Sequence, residues 1–204
     1  MTLDVDSYYD FVSSSLPSEK ISRQWVLLHE ILFREVRGMK LRIAGTINDS
    51  VVDGDGYRYT IFTQGCPHHC RGCHNPETWN PEGGKDADTE ELMAEIRANS
   101  LLEGVTFSGG EPFAQPAPLL QIAREAHAQG LDVWSYTGYV LDELIAMHDP
   151  DVDALLNELD VLVDGPFVME GRDLTLRFRG SRNQRVIDMN ATRERGEVVL
   201  KYND

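Results

Sequence analysis

Outside one eight-residue stretch, the chain contains no cysteine. Its only three are Cys66, Cys70 and Cys73, at spacings of four and three. So odd and tight a set cannot build a disulfide framework. It points instead to a reducing compartment and bound metal. Long hydrophobic runs are missing as well: nothing approaches the roughly 18 residues that a membrane span needs. Positive charge is scarce. The 19 Lys and Arg face 34 Asp and Glu, for a formal net charge of −15. That balance excludes the basic footprint of proteins that bind nucleic acid or acidic membrane surfaces. The opening MTLDVDSYYD is acidic and polar, unlike a secretory signal, so the expected location is the cytoplasm. Repeats and low-complexity tracts are absent too.

What is there reads as a globular α/β protein, long enough at 204 residues for one domain with an appendage. Residues 1–38 differ from the rest. The run Trp25–Phe33 is apolar with a helical rhythm, Ser22 can cap it and Gly38 can end it. From Met39 a new pattern begins. Leu41–Ile47 and Tyr57–Thr63 read as strands around a loop rich in Asp and Gly. Helix and strand then alternate. Asp88 opens a helix to about Asn99, and Gly104–Phe107 is a strand. Pro118–Gln129 is a helix stopped by Gly130, and Leu131–Tyr136 is a strand. Val140–Met147 and Leu155–Leu159 are helical, ahead of the strand Asp160–Val163. Such units predict a parallel sheet with functional loops at the strands' C-terminal ends. The tail after Phe167 is Arg-rich and irregular.

The cysteines fall in "GCPHHCRGCHNP", directly after the second strand. Thiolates bind soft metals, and C-x3-C-x2-C lets three sulfurs serve one site. Two readings stay open on spacing alone. One is structural zinc, with His68, His69 or His74 as fourth ligand. The other is a four-iron cluster whose fourth iron lacks a protein thiolate and so keeps an open position. A second motif, "FSGGEP" at Phe107–Pro112, leaves the strand that starts at Gly104. Its glycines permit close backbone approach and positive φ, and Glu111 can accept from a cationic group. In "WSYTGY", Trp134 reads as core, while Thr137 and Gly138 lie past the strand end. "VDGPF" (Val163–Phe167) reads as a turn, and the arginines of "FRGSRNQRVID" (Phe178–Asp188) read as a solvated face.

With its flanks, the cysteine loop resembles the radical S-adenosylmethionine superfamily over about Met39–Asp188. "VDGDGYRYTIFTQGC" resembles the "VDGPG-R" lead-in of glycyl-radical activating enzymes, departing at Asp55, where the family usually has proline. "CHNPETW" fits the same enzymes. The order "W-x2-TGY", "VDG-F", "RGS-NQ" on a short chain resembles the activating proteins of anaerobic ribonucleoside-triphosphate reductase. Pyruvate formate-lyase activases share the cysteine region but typically run longer and lack this ending.

The resemblance implies a partial, open (β/α) barrel of radical S-adenosylmethionine type at 39–204, with 1–38 as a peripheral helical extension or as sequence upstream of a true start at Met39. It implies one 4Fe-4S cluster on Cys66, Cys70 and Cys73. It also implies S-adenosylmethionine near Gly72, His74, Gly109, Gly110, Glu111, Thr137 and Gly138. Asp164, Arg179, Ser181, Asn183 and Gln184 fall on the substrate or partner side. The implied partners are the glycyl-radical catalytic subunit of the reductase and a reduced donor such as flavodoxin or ferredoxin, with neither nucleic acid nor membrane. The implied chemistry is reductive cleavage of S-adenosylmethionine, leading to a glycyl radical on the partner. Competing expectations are an activase of another glycyl-radical enzyme, a small-molecule radical enzyme, or a non-catalytic zinc-binding adaptor.

Overall fold

A computed structural model of the chain describes residues 38–202. The helix expected around Trp25–Phe33 lies outside the described residues. Strand β1 (Lys40–Ser50) pairs antiparallel with β2 (Arg58–Thr63) on one side and β3 (Lys85–Asp88) on the other. Helix α1 (Thr89–Ala98) leads to β4 (Gly104–Gly109), and α2 (Pro116–Ala128) to β5 (Asp132–Tyr136). Helices α3 (Leu141–Ala146) and α4 (Pro150–Glu158) precede β6 (Val161–Asp164). The described chain closes with β7 (Arg185–Asp188) and α5 (Met189–Arg195). The sheet order is β3-β1-β2-β4-β5-β6-β7, an open sheet whose edges do not meet.

The expected parallel sheet is found only at the centre, in β2, β4, β5 and β6. Its flanks β1, β3 and β7 run antiparallel. Both β3 and β7 escape sequence reading for physical reasons. The edge strand Lys-Asp-Ala-Asp buries no residue fully, so it shows no apolar alternation. Val186 and Ile187 are fully buried but sit among arginines. Helix α4 starts five residues before its expected Leu155. Asp149 accepts from the N–H groups of Asp151 (2.9 Å) and Val152 (3.3 Å), and Pro150 takes the first turn, where no N–H is needed.

Period-two alternation divides the sheet into two faces. Ile61, Val105, Phe107, Val133, Leu162 and Ile187 turn toward the helices and pack with Leu119, Ile122, Leu144 and Leu155. Each such fully buried side chain contributes roughly 1.5–3 kcal/mol. The opposite face carries Trp134, Val161, Val163 and Val186, against which Tyr136, Phe178 and Tyr202 pack. Asp55, in its unusual position, is tied to this chain end. It accepts from the Tyr202 hydroxyl at 2.5 Å and lies 3.5 Å from the Lys201 ammonium. Arg58 is fully buried over Trp134 and donates to the Asp55 carbonyl at 2.9 Å. The turn that lacks proline is therefore held from outside. Among the described residues, no helix is long and apolar enough to cross a membrane.

Candidate iron–sulfur site

The four parallel strands end along one edge of the sheet, the edge where ligands sit in open α/β folds. The cysteine loop leaves β2 there and is closed at its base. Gly65 N–H donates to Thr78 O (2.8 Å) and Cys66 N–H to Trp79 O (3.2 Å). The Gln64 amide donates to the carbonyls of Glu77 (3.0 Å) and Asn80 (2.7 Å). "HNPETW" thus folds back against "TQGC" instead of trailing away. Inside the loop His69 has φ of +48°, and its ring stacks on Trp79 at 5.0 Å.

The glycine turn after β4 is stitched to the same base. Gly110 N–H donates to Thr63 O (2.9 Å) and Glu111 N–H to Gly65 O (2.8 Å). Positive φ falls on Gly109 (+91°), not on Gly110. A Cβ on Gly109 would lie 2.6 Å from Phe62 Cα. One on Gly110 would collide with the Gly65 carbonyl oxygen and lie 3.0 Å from its carbon. Both glycines admit the protein's own backbone, whatever ligand lies beyond. Gly110→Ala is therefore expected to cost about 2–3 kcal/mol, a fall of roughly 4–12 °C in melting temperature. Thermal melting of the metal-free chain reads this, and an unchanged midpoint would show slack in the junction.

Glu111 differs from the sequence expectation. Its side chain is 1% exposed, and donors of its own chain fill it. Oε1 accepts from Phe113 N–H (3.0 Å) and the Thr137 hydroxyl (3.0 Å). Oε2 accepts from Gly138 N–H (2.9 Å) and His68 Nε2 (2.8 Å). Glu111 is thus a brace joining the ends of β4 and β5 to the cysteine loop, not an acceptor held free for a cation. Thr137 and Gly138 do come to the site edge, with the Thr137 hydroxyl and Gly138 N–H spent on this brace. His68, which sequence reading placed only among alternative zinc ligands, is part of it.

The residues that the resemblance puts on the partner side make firm contacts within the chain. The Asp164 carboxylate is fully buried, bound by Nε (2.9 Å) and Nη2 of Arg185, and accepts from Leu141 N–H at 2.9 Å. It locks β7 to β6 and begins α3. Ser181 is fully buried and accepts from Val168 N–H at 3.1 Å. The Asn183 amide donates to Pro166 O (2.7 Å) and that of Gln184 to Gly165 O (3.1 Å). Arg179 is half-buried. "GS-NQ" is therefore a clip that holds Gly165–Val168. The held segment packs on the cysteine loop: Phe167 lies 5.3 Å from the His74 ring, and a Cβ on Gly72 would meet Met169 Cε at 2.9 Å. Gly72 and His74 thus lie under this strap.

The thiols suit an iron–sulfur cluster. All three cysteines are unpaired and half-buried. Asn75 N–H points at the Cys73 sulfur at 3.4 Å. Such bonds stabilise thiolates and tune cluster potentials. Burial pushes the Cys66 thiol up, and Glu111 adds to this. Metal loading must displace that proton, so higher pH favours it. Among the described residues, no three His, Cys, Asp or Glu side chains are gathered to hold one metal ion. A cluster asks for something different: one thiolate on each of three irons.

A family model described as "4Fe-4S single cluster domain" matches residues 52–187. The anaerobic ribonucleoside-triphosphate reductase-activating protein of Salmonella typhimurium is 39% identical over 142 residues, covering 66% of this chain and 90% of its own. The protein of that name from Escherichia coli K12 is 38% identical with the same coverage. A pyruvate formate-lyase-activating enzyme from Clostridium pasteurianum is 42% identical over 95 residues, 44% of this chain and 40% of its own. The crystal structure of QueE from Escherichia coli aligns over 53% of this chain and 57% of its own, at 21% identity and a TM-score of 0.42.

Proposed function

Because the chain belongs to the family of anaerobic ribonucleoside-triphosphate reductase-activating proteins, with a 4Fe-4S single cluster domain, we propose that it is the radical S-adenosylmethionine activase that places the glycyl radical on such a reductase. The observation that carries this reading is one junction. Three unpaired thiols sit on a loop stitched by backbone hydrogen bonds to the Gly109–Glu111 turn.

When bound, the cluster and S-adenosylmethionine supply reductive cleavage of the sulfonium and a carbon radical that takes hydrogen from a glycine of the partner. The chain's own part is binding, orientation and exclusion. Cys66, Cys70 and Cys73 would hold the cluster, and with three thiolates for four irons they would leave a position for the cofactor. The main chain at Gly109 and Gly110 lines the amino-group side, since the Glu111 carboxylate is committed to its own chain. Gly138 and the Phe167–Met169 strap border the same space, and the strap keeps water from the cysteine loop. No acid–base pair is required. An open sheet edge suits a substrate that is a loop of another protein. The electron comes from a reduced flavodoxin- or ferredoxin-type donor in the cytoplasm. The catalytic unit begins near Met39, and cleavage of S-adenosylmethionine does not depend on residues 1–38.

The test is anaerobic reconstitution with iron and sulfide, then incubation with the reductase catalytic subunit, S-adenosylmethionine and a reductant. Electron paramagnetic resonance should show a glycyl radical on the reductase. Signal only on pyruvate formate-lyase would favour the second reading, which the Clostridium relative supports over less than half of either chain. A chain starting at Met39, run in parallel, should cleave S-adenosylmethionine at a rate close to full length. Loss of that cleavage would move the boundary.

A further inference from the structure

We propose that the lobe between Phe167 and Gln184 is a docking surface, and that it takes an acidic face of the reductase catalytic subunit around the glycine that receives the radical. The inference rests on the activase reading above and names its protein-binding surface. Charge sets this segment apart. Across the chain 34 acids face 19 bases, yet from Gly171 to Arg185 five arginines face one aspartate. That residue, Asp173, is already engaged: it accepts from Arg182 Nε (3.1 Å) and Nη2 (3.0 Å). Arg185 is spent on Asp164. Arg172 and Arg177 are exposed and have no carboxylate partner among the described residues. Arg177 lies over the Tyr202 ring at 5.4 Å. Arg71, on the cysteine loop beneath the lobe, has a side chain 85% exposed, and the similarly open Glu170 lies 3.5 Å from it.

The lobe is a firm platform. Arg172 and Ser181 pair as an antiparallel bridge, Asp173 N–H donates to Gly180 O (3.2 Å) and Arg182 N–H to Gly171 O (2.9 Å). One part sits on the cysteine loop through Phe167 and Met169. Another packs Phe178 against Trp134 and Tyr202, on the sheet face away from the helices. The lobe thus borders both the cysteine loop and that face, the ground that a partner's glycine loop has to cross. A small electron carrier needs only the cysteine loop. Along the lobe Val168, Met169 and Leu174 stand exposed, the last at 78%. Apolar side chains that include Met, rimmed by Arg, have the composition of a protein interface. An acidic partner face is repelled by most of this chain and drawn to these arginines, so the lobe also selects the orientation of docking.

The test measures binding of the full-length, anaerobically reconstituted chain to the reductase catalytic subunit, by surface plasmon resonance at about 50 mM and about 300 mM salt. Wild type should associate roughly tenfold more slowly at the higher salt. Arg172→Glu should slow association roughly fivefold at low salt and flatten the salt dependence. Leu174→Ala should keep the association rate and speed dissociation about fivefold. Both side chains are exposed, so both variants should melt within about 2 °C of the parent; if one melts early, the other decides. Arg195→Glu, the same charge change on α5, controls for net charge. That helix follows β7, whose last residue Asp188 pairs with Val161 at the start of β6, so it lies at the sheet edge opposite the cysteine loop. It should bind as wild type does. Salt-independent association of wild type, or parental kinetics in either lobe variant, overturns the proposal. So does an equal loss in Arg195→Glu, which would reduce the effect to net charge. If Arg172→Glu bound the reductase normally but a flavodoxin less well, the surface would belong to an electron donor, and the proposal falls. A wild-type chain that binds pyruvate formate-lyase and not the reductase defeats the underlying reading instead.

Discussion

Replacing Cys66, Cys70 or Cys73 singly by alanine should strip the cluster and reduce glycyl-radical formation by at least roughly 100-fold. In the proposed site each sulfur serves a different iron, so no pair can cover for the third. The three nearby imidazoles are already engaged, and a thiolate suits iron–sulfur iron better than an imidazole does. His68 is bound to Glu111, His69 stacks on Trp79, and His74 lies against Phe167. Among the described residues, no other group of three ligating side chains comes together. The loop itself should survive the change, because its closure runs through the backbone of Gly65 and Cys66 and through Gln64. The expected variant is therefore folded, colourless and inactive. Iron analysis, visible absorbance and circular dichroism on the same sample check all three properties. One alanine variant with full iron and normal turnover would sink the assignment.

The cysteine loop could be read from residues because its chemistry is local. Three thiols within eight positions need no tertiary contact to be noticed. The central strands were equally open to reading, since Val105, Phe107, Val133 and Leu162 must alternate into a helix-covered core. What sequence concealed is polar and long-range. Glu111 and Thr137 lie 26 residues apart, and Glu111 and His68 lie 43 apart. No periodicity connects them. The same holds for Asp164 with Arg185, and for Ser181 with Val168. Glu111, Thr137, Asp164 and Ser181 brace the loops that carry them, through contacts that no local pattern announces. A cue existed in composition: "RGSRNQ" packs Ser, Asn and Gln together, the side chains that satisfy loop carbonyls and amides. Arginine density drew attention to charge instead.

The brace at Glu111 gives the largest expected loss of stability. Glu111→Ala removes one acceptor group from four donors at once: Phe113 N–H, the Thr137 hydroxyl, Gly138 N–H and His68 Nε2. Buried donors left unpaired cost about 1–3 kcal/mol each. Relaxation and entering water recover part of that sum, so a net loss of about 3–5 kcal/mol is expected. For a chain of this size the melting temperature falls by roughly 6–20 °C. Glu111→Gln tests the cause. It is close in shape, and its oxygen can still accept from two donors. Its NH2 group then meets one obligate donor, the N–H of Phe113 or of Gly138, whichever way the amide turns, while the Thr137 hydroxyl or the other tautomer of His68 can accept from it. The expected loss is about half that of alanine. If Glu111 instead served mainly to hold the amino group of S-adenosylmethionine, both variants would melt with the parent and lose only cofactor affinity. Melting curves of the metal-free chains, set beside S-adenosylmethionine binding to the loaded ones, separate the two roles. A parental melting temperature in Glu111→Ala would show that the three loops at this edge of the sheet stand without their shared carboxylate.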